Sequence, residues 1–373
     1  MNERIYLDYN ATCPVRPEVA ALVAQVMQAP HNASSVHRYG QEGRKYVEDA
    51  RTKVATLVNA NPAQVIFNSS ATEGNNTVLN HFKGERILVS AIEHPSVLEA
   101  VPEAEKIPVT SDGLIDLQAL EKLLQTGPRP ALVSAMLVNN ETGAIQPIRD
   151  VSNLSKKYGA LLHCDAAQAA GKIPVDIAAL GVDFMTLSAH KIGGPQGVGA
   201  LVLGLCGITP TLLHGGGQEK SARAGTENVA GIAGFGMAAE LALKDLPRYA
   251  KFETLRNHLE KELQKIYSRA VIHAASVPRA AGVSMFSLPG LTAETLLMAL
   301  DLEGIAVSNG SACSSGNVKP SHVLKAMGAS GEIAASALRI SMGWATTEAE
   351  IDGFLKALGK IVNRIEKKNT AHA

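Results

Sequence analysis

The most constraining feature of this chain is a rhythm in its middle third. Short β-rich runs alternate with stretches of helical periodicity. RILVSA (Arg86–Ala91), ALVSAMLVNN (Ala131–Asn140), ALLHCDAAQ (Ala160–Gln168), VDFMTLSAH (Val182–His190) and GALVLG (Gly199–Gly204) read as strands, and LQALEKLLQT (Leu117–Thr126) and VSNLSKKYG (Val151–Gly159) as helices between them. Apolar runs separated by helices predict a mostly parallel sheet with both faces covered, an α/β architecture. In such a sheet, ligands bind at the carboxyl ends of the strands. The chemically distinctive residues fall at those ends.

The pattern changes further on. A charge-laced stretch from about Leu241 to Ser268 predicts one long connecting helix. AGVSMFSL (Ala281–Leu288), the helical LTAETLLMALDLEG, the strand-like IAVSNG and a last amphipathic helix follow. This is an α+β pattern, so a chain of 373 residues divides into a large domain over 14–245 and a smaller one made of 1–13 and 246–373. The N-terminal IYLD is expected near the small domain.

Composition excludes several classes. Lys plus Arg and Asp plus Glu both number 35, so nothing marks a nucleic-acid or membrane-surface partner. Four cysteines lie far apart without a Cys-x-x-Cys pair, against a zinc site or a disulfide framework. MNERIYLDYN lacks the form of a signal peptide, and the apolar runs are too short to span a bilayer. A cytoplasmic protein handling small molecules is expected.

Within that frame, NSSATEGNN (Asn68–Asn76) follows the strand-like VIF and opens a helix. Small residues and the Thr72 hydroxyl there suit a phosphate, or they form a plain helix cap. HCDAAQ (His163–Gln168) ends a buried strand with Asp165. A buried carboxylate needs a partner, either a structural arginine or a cofactor cation. SAHKIGGPQG (Ser188–Gly197) puts Lys191 at the end of the next strand, among glycines that would make room for a flat ring. An Asp and a Lys at successive strand ends meet the needs of pyridoxal phosphate: an amine for its aldehyde and a carboxylate for its pyridine nitrogen. His94, in IEHPSV, is a candidate to cover the ring, or a core histidine. GSACSSGNVKP (Gly310–Pro320) sets Cys313 among Gly and Ser. That composition predicts a mobile, exposed thiol suited to nucleophilic work, or an incidental loop cysteine. Cys164, in a strand, reads as packing. Arg339 in SALRISMG has the form of a carboxylate clamp.

Taken together these motifs resemble the cysteine desulfurases, the NifS/IscS-like (group I) branch of the class V aminotransferases. YLDYNAT, SSVH, SSATEGNN, EHPSV, VNNETG, HCDAAQ, SAHKIGGPQG, HGGGQE, RAGTEN, SNGSACSS and LRISMG occur in family order. The resemblance implies the pyridoxal-phosphate fold-type I and a homodimer. It implies Lys191 as the lysine that carries the cofactor, Asp165 at the ring nitrogen, Gln168 at the ring hydroxyl and His94 stacked on the ring, with Lys191 or His94 as the catalytic group that moves the substrate's Cα proton. Ala71, Thr72, Ser188 and His190 would hold the phosphate, with Thr226 reaching in from the other subunit. Asn140 and Arg339 would bind the substrate carboxylate. Cys313 would accept sulfur from L-cysteine, leaving L-alanine, and pass it to an acceptor protein such as an iron–sulfur scaffold. A selenocysteine lyase, an aminotransferase-type enzyme or a sulfur-relay or assembly subunit without chemistry are the alternatives. The chain departs from the family pattern at PHNASSVH (Pro30–His37) and at Ala189, Gly193 and Gln196.

Overall fold

The structure is a computed structural model that describes residues 4–310 and 320–371. Its centre is a seven-stranded sheet in the order Val65–Asn68, Gly199–Leu203, Phe184–Ser188, Leu161–Asp165, Leu132–Ser134, Ile87–Ser90 and Glu105–Ile107. Gly199–Leu203 runs antiparallel to both of its neighbours, and the remaining pairs are parallel. Every residue of Ile87–Ser90, Leu132–Ser134 and Phe184–Ser188 is buried, as expected of strands covered on both faces. All five strands read from the sequence are present. Ala131–Asn140 is shorter than expected, because only Leu132–Ser134 pairs as a strand. The three-residue edge strand Glu105–Ile107 carries too few apolar positions to signal itself.

Helices Arg38–Leu57 and Val229–Ala250 pack together over one face, in a core that includes Phe67, Phe235 and Val202. A Cβ on Gly236 would sit 2.5 Å from the Ala50 Cα, so glycine is what lets the two backbones approach. Helix Ala71–His81 packs on the other face, where Val78, Leu79 and Phe82 meet Phe184. The long helix expected from Leu241 to Ser268 is instead two, Val229–Ala250 and Phe252–Ile266. The first begins well before the expected start. Its opening VAGIAGFG is glycine-rich, which weakens a helix, but Gly234 and Gly236 serve close packing against Val23, Pro195 and Ala50.

A separate core surrounds a three-stranded antiparallel sheet in the order Ala337–Ser341, Val283–Ser287, Val271–Ile272. Ile5–Tyr6 pairs in parallel with Ile305–Ala306, and an isolated bridge joins Asp8 to Ser341. From there the chain returns to the large sheet: Cys13 N donates to His190 O (2.8 Å) and Arg16 N to Gly193 O (3.0 Å). The segment Asn10–Arg16 is thereby laid across the turn that carries Lys191.

Candidate active site

A cavity of about 310 Å³ opens at the carboxyl ends of the parallel strands. Asp165 closes the strand Leu161–Asp165 and is paired in register with Thr186 of the neighbouring strand. Two residues past Thr186 comes Ser188, and then a 3-10 turn, Ala189–Lys191. Asp165, Ser188, His190 and Lys191 all line the cavity because successive parallel strands end at one level.

Asp165 is buried, and its partners are short-range polar groups rather than an arginine. Asn75 Nδ2 donates to Oδ2 (2.8 Å) and Ala167 N to Oδ1 (2.9 Å). Asn75 Nδ2 also donates to Ser96 Oγ (2.9 Å), and Ser96 lies 2.8 Å from His94 Nδ1 through its hydroxyl. The Ser96 backbone N–H donates to the same Nδ1 (3.1 Å). Nδ1 therefore acts as an acceptor, which leaves the hydrogen of the neutral ring on Nε2. Burial pushes His94 below the ordinary histidine range, Lys191 adds to that and Asp165 opposes it.

Lys191 Nζ donates to the carbonyls of Asn10 (2.6 Å) and Ala11 (2.8 Å). His190 is pushed down to about 4, by burial first and then by Lys191 and Lys172. Its Nδ1 lies 3.1 Å from Thr12 Oγ1. The glycines after Lys191 do not make room for a ring, because neither Gly193 nor Gly194 lines the cavity. A Cβ on Gly193, at φ +85°, would lie 2.8 Å from Arg16 Cγ, and one on Gly194 would lie 2.9 Å from the Ala189 carbonyl oxygen. They serve the turn itself.

Ser70 caps helix Ala71–His81, its side chain accepting from Glu73 N (3.2 Å). Ala71 and Thr72, in the first turn, line the cavity beside it. The cap and a possible anion cradle are thus two parts of one helix start.

The far wall of the cavity is assembled differently. Arg339 is 1% exposed. Its Nη2 donates to Asp8 Oδ1 (2.6 Å) and its Nη1 to the carbonyls of Asn140 (3.0 Å) and Gly310 (3.3 Å). Two buried polar atoms at this wall, Asn140 Oδ1 and Arg339 Nε, lack a hydrogen-bond partner among the described residues. Unsatisfied buried polar atoms beside a cavity mark where a polar ligand belongs.

Of the residues singled out in the sequence, Ala71, Thr72, His94, Asn140, Asp165, Gln168, Ser188, His190, Lys191 and Arg339 share this cavity. Thr226 does not line the cavity of its own chain; it is exposed in the segment before helix Val229–Ala250. Cys313 lies outside the described residues, and the last described residue before it, Gly310, lines the cavity. The sequence reading missed Asn10, Asn75, Ser96 and Lys172. Asn10 and Asn75 stand inside motifs already noted, YLDYNAT and SSATEGNN, and their amides were the available signal.

The donor set fits pyridoxal phosphate: an amine on Lys191, a buried carboxylate on Asp165, a helix N-terminus with a hydroxyl on Thr72, and His94 on the same cavity. No group of three or more His, Cys, Asp or Glu side chains that could hold a metal ion occurs among the described residues, and no described helix is long and apolar enough to cross a membrane.

Comparison with known proteins gives the same direction. The family described as aminotransferase class-V matches residues 5–354. Cysteine desulfurase IscS of Dictyoglomus turgidum is 38% identical over 98% of this chain and 96% of its own length. The X-ray structure of a NifS-like protein from Rickettsia africae superposes with a TM-score of 0.90 at 38% identity, over 97% of this chain and all of that one. A structure described as SspA in complex with cysteine follows at a TM-score of 0.79 and 26% identity, over 91% of this chain and 99% of that one.

Proposed function

The chain belongs to the class-V aminotransferase family, and from that premise we propose that it is a pyridoxal-phosphate-dependent cysteine desulfurase. It converts L-cysteine to L-alanine and carries the released sulfur as a persulfide on Cys313. The carrying observation is that Lys191 and Asp165 line one cavity whose opposite wall holds buried, unsatisfied polar atoms of Asn140 and Arg339. A cofactor end and a carboxylate end are what an amino-acid substrate needs. Relatives named cysteine desulfurase and a neighbour described in complex with cysteine support that substrate.

When bound, the cofactor withdraws electrons from the substrate Cα and so makes its proton acidic. This chain's residues do the rest. Lys191 would be the amine that holds the cofactor's aldehyde, Asp165 would face the ring nitrogen and Gln168 the ring hydroxyl. Ala71, Thr72, Ser188 and His190 would hold the phosphate, with Thr226 contributed by a second copy. Arg339 and Asn140 orient the substrate carboxylate. The Nδ1 of His94 is already taken by Ser96, which leaves Lys191 as the group that moves the Cα proton and His94 as a ring donating from Nε2. The Cys313 thiolate attacks the substrate sulfur: an S–S bond forms, the Cβ–S bond breaks, and its electron pair stays on carbon, which takes up a proton. In sum, L-cysteine and the Cys313 thiol give L-alanine and the Cys313 persulfide.

We read the chain as a large cofactor domain over 14–245 and a small domain of 1–13 with 246–373. The separate cores support this, and the boundary passes inside helix Val229–Ala250. It works as a homodimer in the cytoplasm and passes sulfur to an acceptor protein, such as a scaffold for iron–sulfur clusters. Exposed Val36, Tyr39 and Leu213 are apolar surface a second copy could cover. The test is alanine and sulfide formed from L-cysteine with a reductant, in the wild type and in Cys313→Ala. Equal amounts from the wild type and neither from the variant are expected. An unimpaired variant overturns the persulfide step and turns attention to selenocysteine.

A further inference from the structure

A second lysine stands directly behind the site, and the reaction as derived does not use it. Lys172 is 7% exposed. Its Nζ donates to Gln168 Oε1 (2.5 Å) and to Asn10 Oδ1 (2.6 Å). A buried ammonium is costly unless it is fully hydrogen-bonded, and an apolar side chain of similar length would pack there at lower cost. Its position therefore calls for a reason other than stability.

The reason lies in what an ammonium can do to an amide. It has three donors and no acceptor, so the oxygen of the Gln168 amide is the atom that faces it. The side chain, otherwise free to present either end, is locked. Its Nε2 gives one N–H to Asn10 O (2.9 Å) and keeps a donor to spare. Asn10 is locked in the same way, with Oδ1 on Lys172 and Nδ2 on Asn140 O (3.0 Å). Lys191 Nζ donates to the same Asn10 carbonyl that Gln168 uses. Lys172 thus sits one residue behind three of the cavity's walls.

We propose that Lys172 is a positioning residue for the reaction: it holds Gln168 and Asn10 so that the cofactor meets an N–H donor, and its charge lowers the proton affinity of the Lys191 nitrogen once that nitrogen is joined to the cofactor. The inference rests on the cofactor reading above. Burial first, and Lys191 next, pull Lys172 down to about 7, so the two amines sense each other across this network. The other titratable or charged groups lining the two cavities that share Lys191 are Tyr9, Cys13 and Arg16 from the N-terminal segment and His94, Asp165, His190 and Arg339 from the main site. Asp245, Arg248 and Tyr249 of helix Val229–Ala250 complete the set. Of these, Cys13 and His190 also feel the Lys172 charge, which lowers both, and neither carries the chromophore that is read.

The experiment compares the holoenzymes of the wild type, Lys172→Met and Lys172→Arg by the absorbance of the bound cofactor across about pH 6 to 10. A nearby positive charge disfavours protonation, so removing it raises the midpoint. Lys172→Met is expected to titrate higher than the wild type by up to about one pH unit, most where Lys172 still holds its proton, and Lys172→Arg, which keeps charge and donors over the whole range, at or below the wild-type value. Lys172→Met with bound cofactor and an unmoved midpoint overturns the proposal. If Lys172→Met yields no holoenzyme, Lys172→Arg decides: a midpoint at or below the wild-type value supports the proposal and a raised one overturns it. Failure of both variants to fold also overturns it, since a positioning role predicts a folded apoenzyme. Lys191→Ala separates this from the cofactor reading: a chromophore retained without Lys191 sinks that reading whatever Lys172 does.

Discussion

At the cofactor end of the cavity, Asp165 takes its hydrogen bonds from Asn75 and Ala167, and Lys191 follows on the neighbouring strand, paired in register with that of Asp165. At the substrate end, Arg339 is held by Asp8 and by the carbonyls of Asn140 and Gly310, groups from widely separated parts of the chain. The first end is set by adjacent strands of one sheet and is preformed. The second exists only where the N-terminal segment, the large sheet and the small sheet meet, and two of its polar atoms are unsatisfied. On the proposed reading, labour is divided: the sheet fixes the group that stays, and the junction between the two cores receives the group that comes and goes.

Substitutions at the two ends should therefore fail in different ways. The largest effect is expected for Lys191→Ala, which should abolish the bound chromophore and lower turnover about 10³-fold or more. Spectra and alanine release check this together. Asp165→Asn keeps the shape and removes the charge. Turnover should fall about 10²-fold or more, with the affinity for cysteine little changed. Arg339→Lys should do the reverse. KM for cysteine should rise about tenfold or more while the cofactor spectrum stays put. An altered spectrum in Arg339→Lys would break the comparison, because the two ends would then not be independent. Asn75→Ala removes one hydrogen bond to Asp165 and one to Ser96. About 1 kcal/mol, or roughly a fivefold loss of turnover, is expected.

The smallest effect concerns acid. Burial pushes His163 and His190, in the site's sheet and its turn, and His273, beside the small sheet, each down to about 4. In the unfolded chain these rings take up protons near the ordinary value of 6.5. Stability is then fully present above about pH 6.5 and is lost as the pH falls toward 4. Thermal melts should show Tm level at neutral pH and several degrees lower by about pH 5. A flat profile would mean that these rings are not buried in the neutral form.

The two ends also differ in how far the sequence reveals them. Asp165 and Lys191 could be read because each ends a strand with a strong apolar run, and the rule for parallel sheets puts such ends together. Arg339 could be named from its chemistry, but Asp8 could not. Its place depends on the two-residue strand Ile5–Tyr6 pairing with Ile305–Ala306, and a pair that short has no periodicity. Asn10 arrives by the same route. Asn75 lies inside a helix whose polar residues look like a solvated face, although the side chain is fully buried. Lys172 gives no signal in the sequence because lysine is ordinarily a surface residue. The glycines after Lys191 suggest a ligand in the sequence but serve the turn in the structure, a distinction that periodicity and composition do not draw.

On the proposed reading Lys191, and not the neighbouring Lys172, is the amine that holds pyridoxal phosphate. The direct measurement is to load the protein with the cofactor, reduce the linkage with borohydride, digest it and locate the modified lysine by mass spectrometry. The cofactor is expected on the peptide containing Lys191 in the wild type and in Lys172→Met. Modification at Lys172, or at no lysine of this cavity, would contradict it.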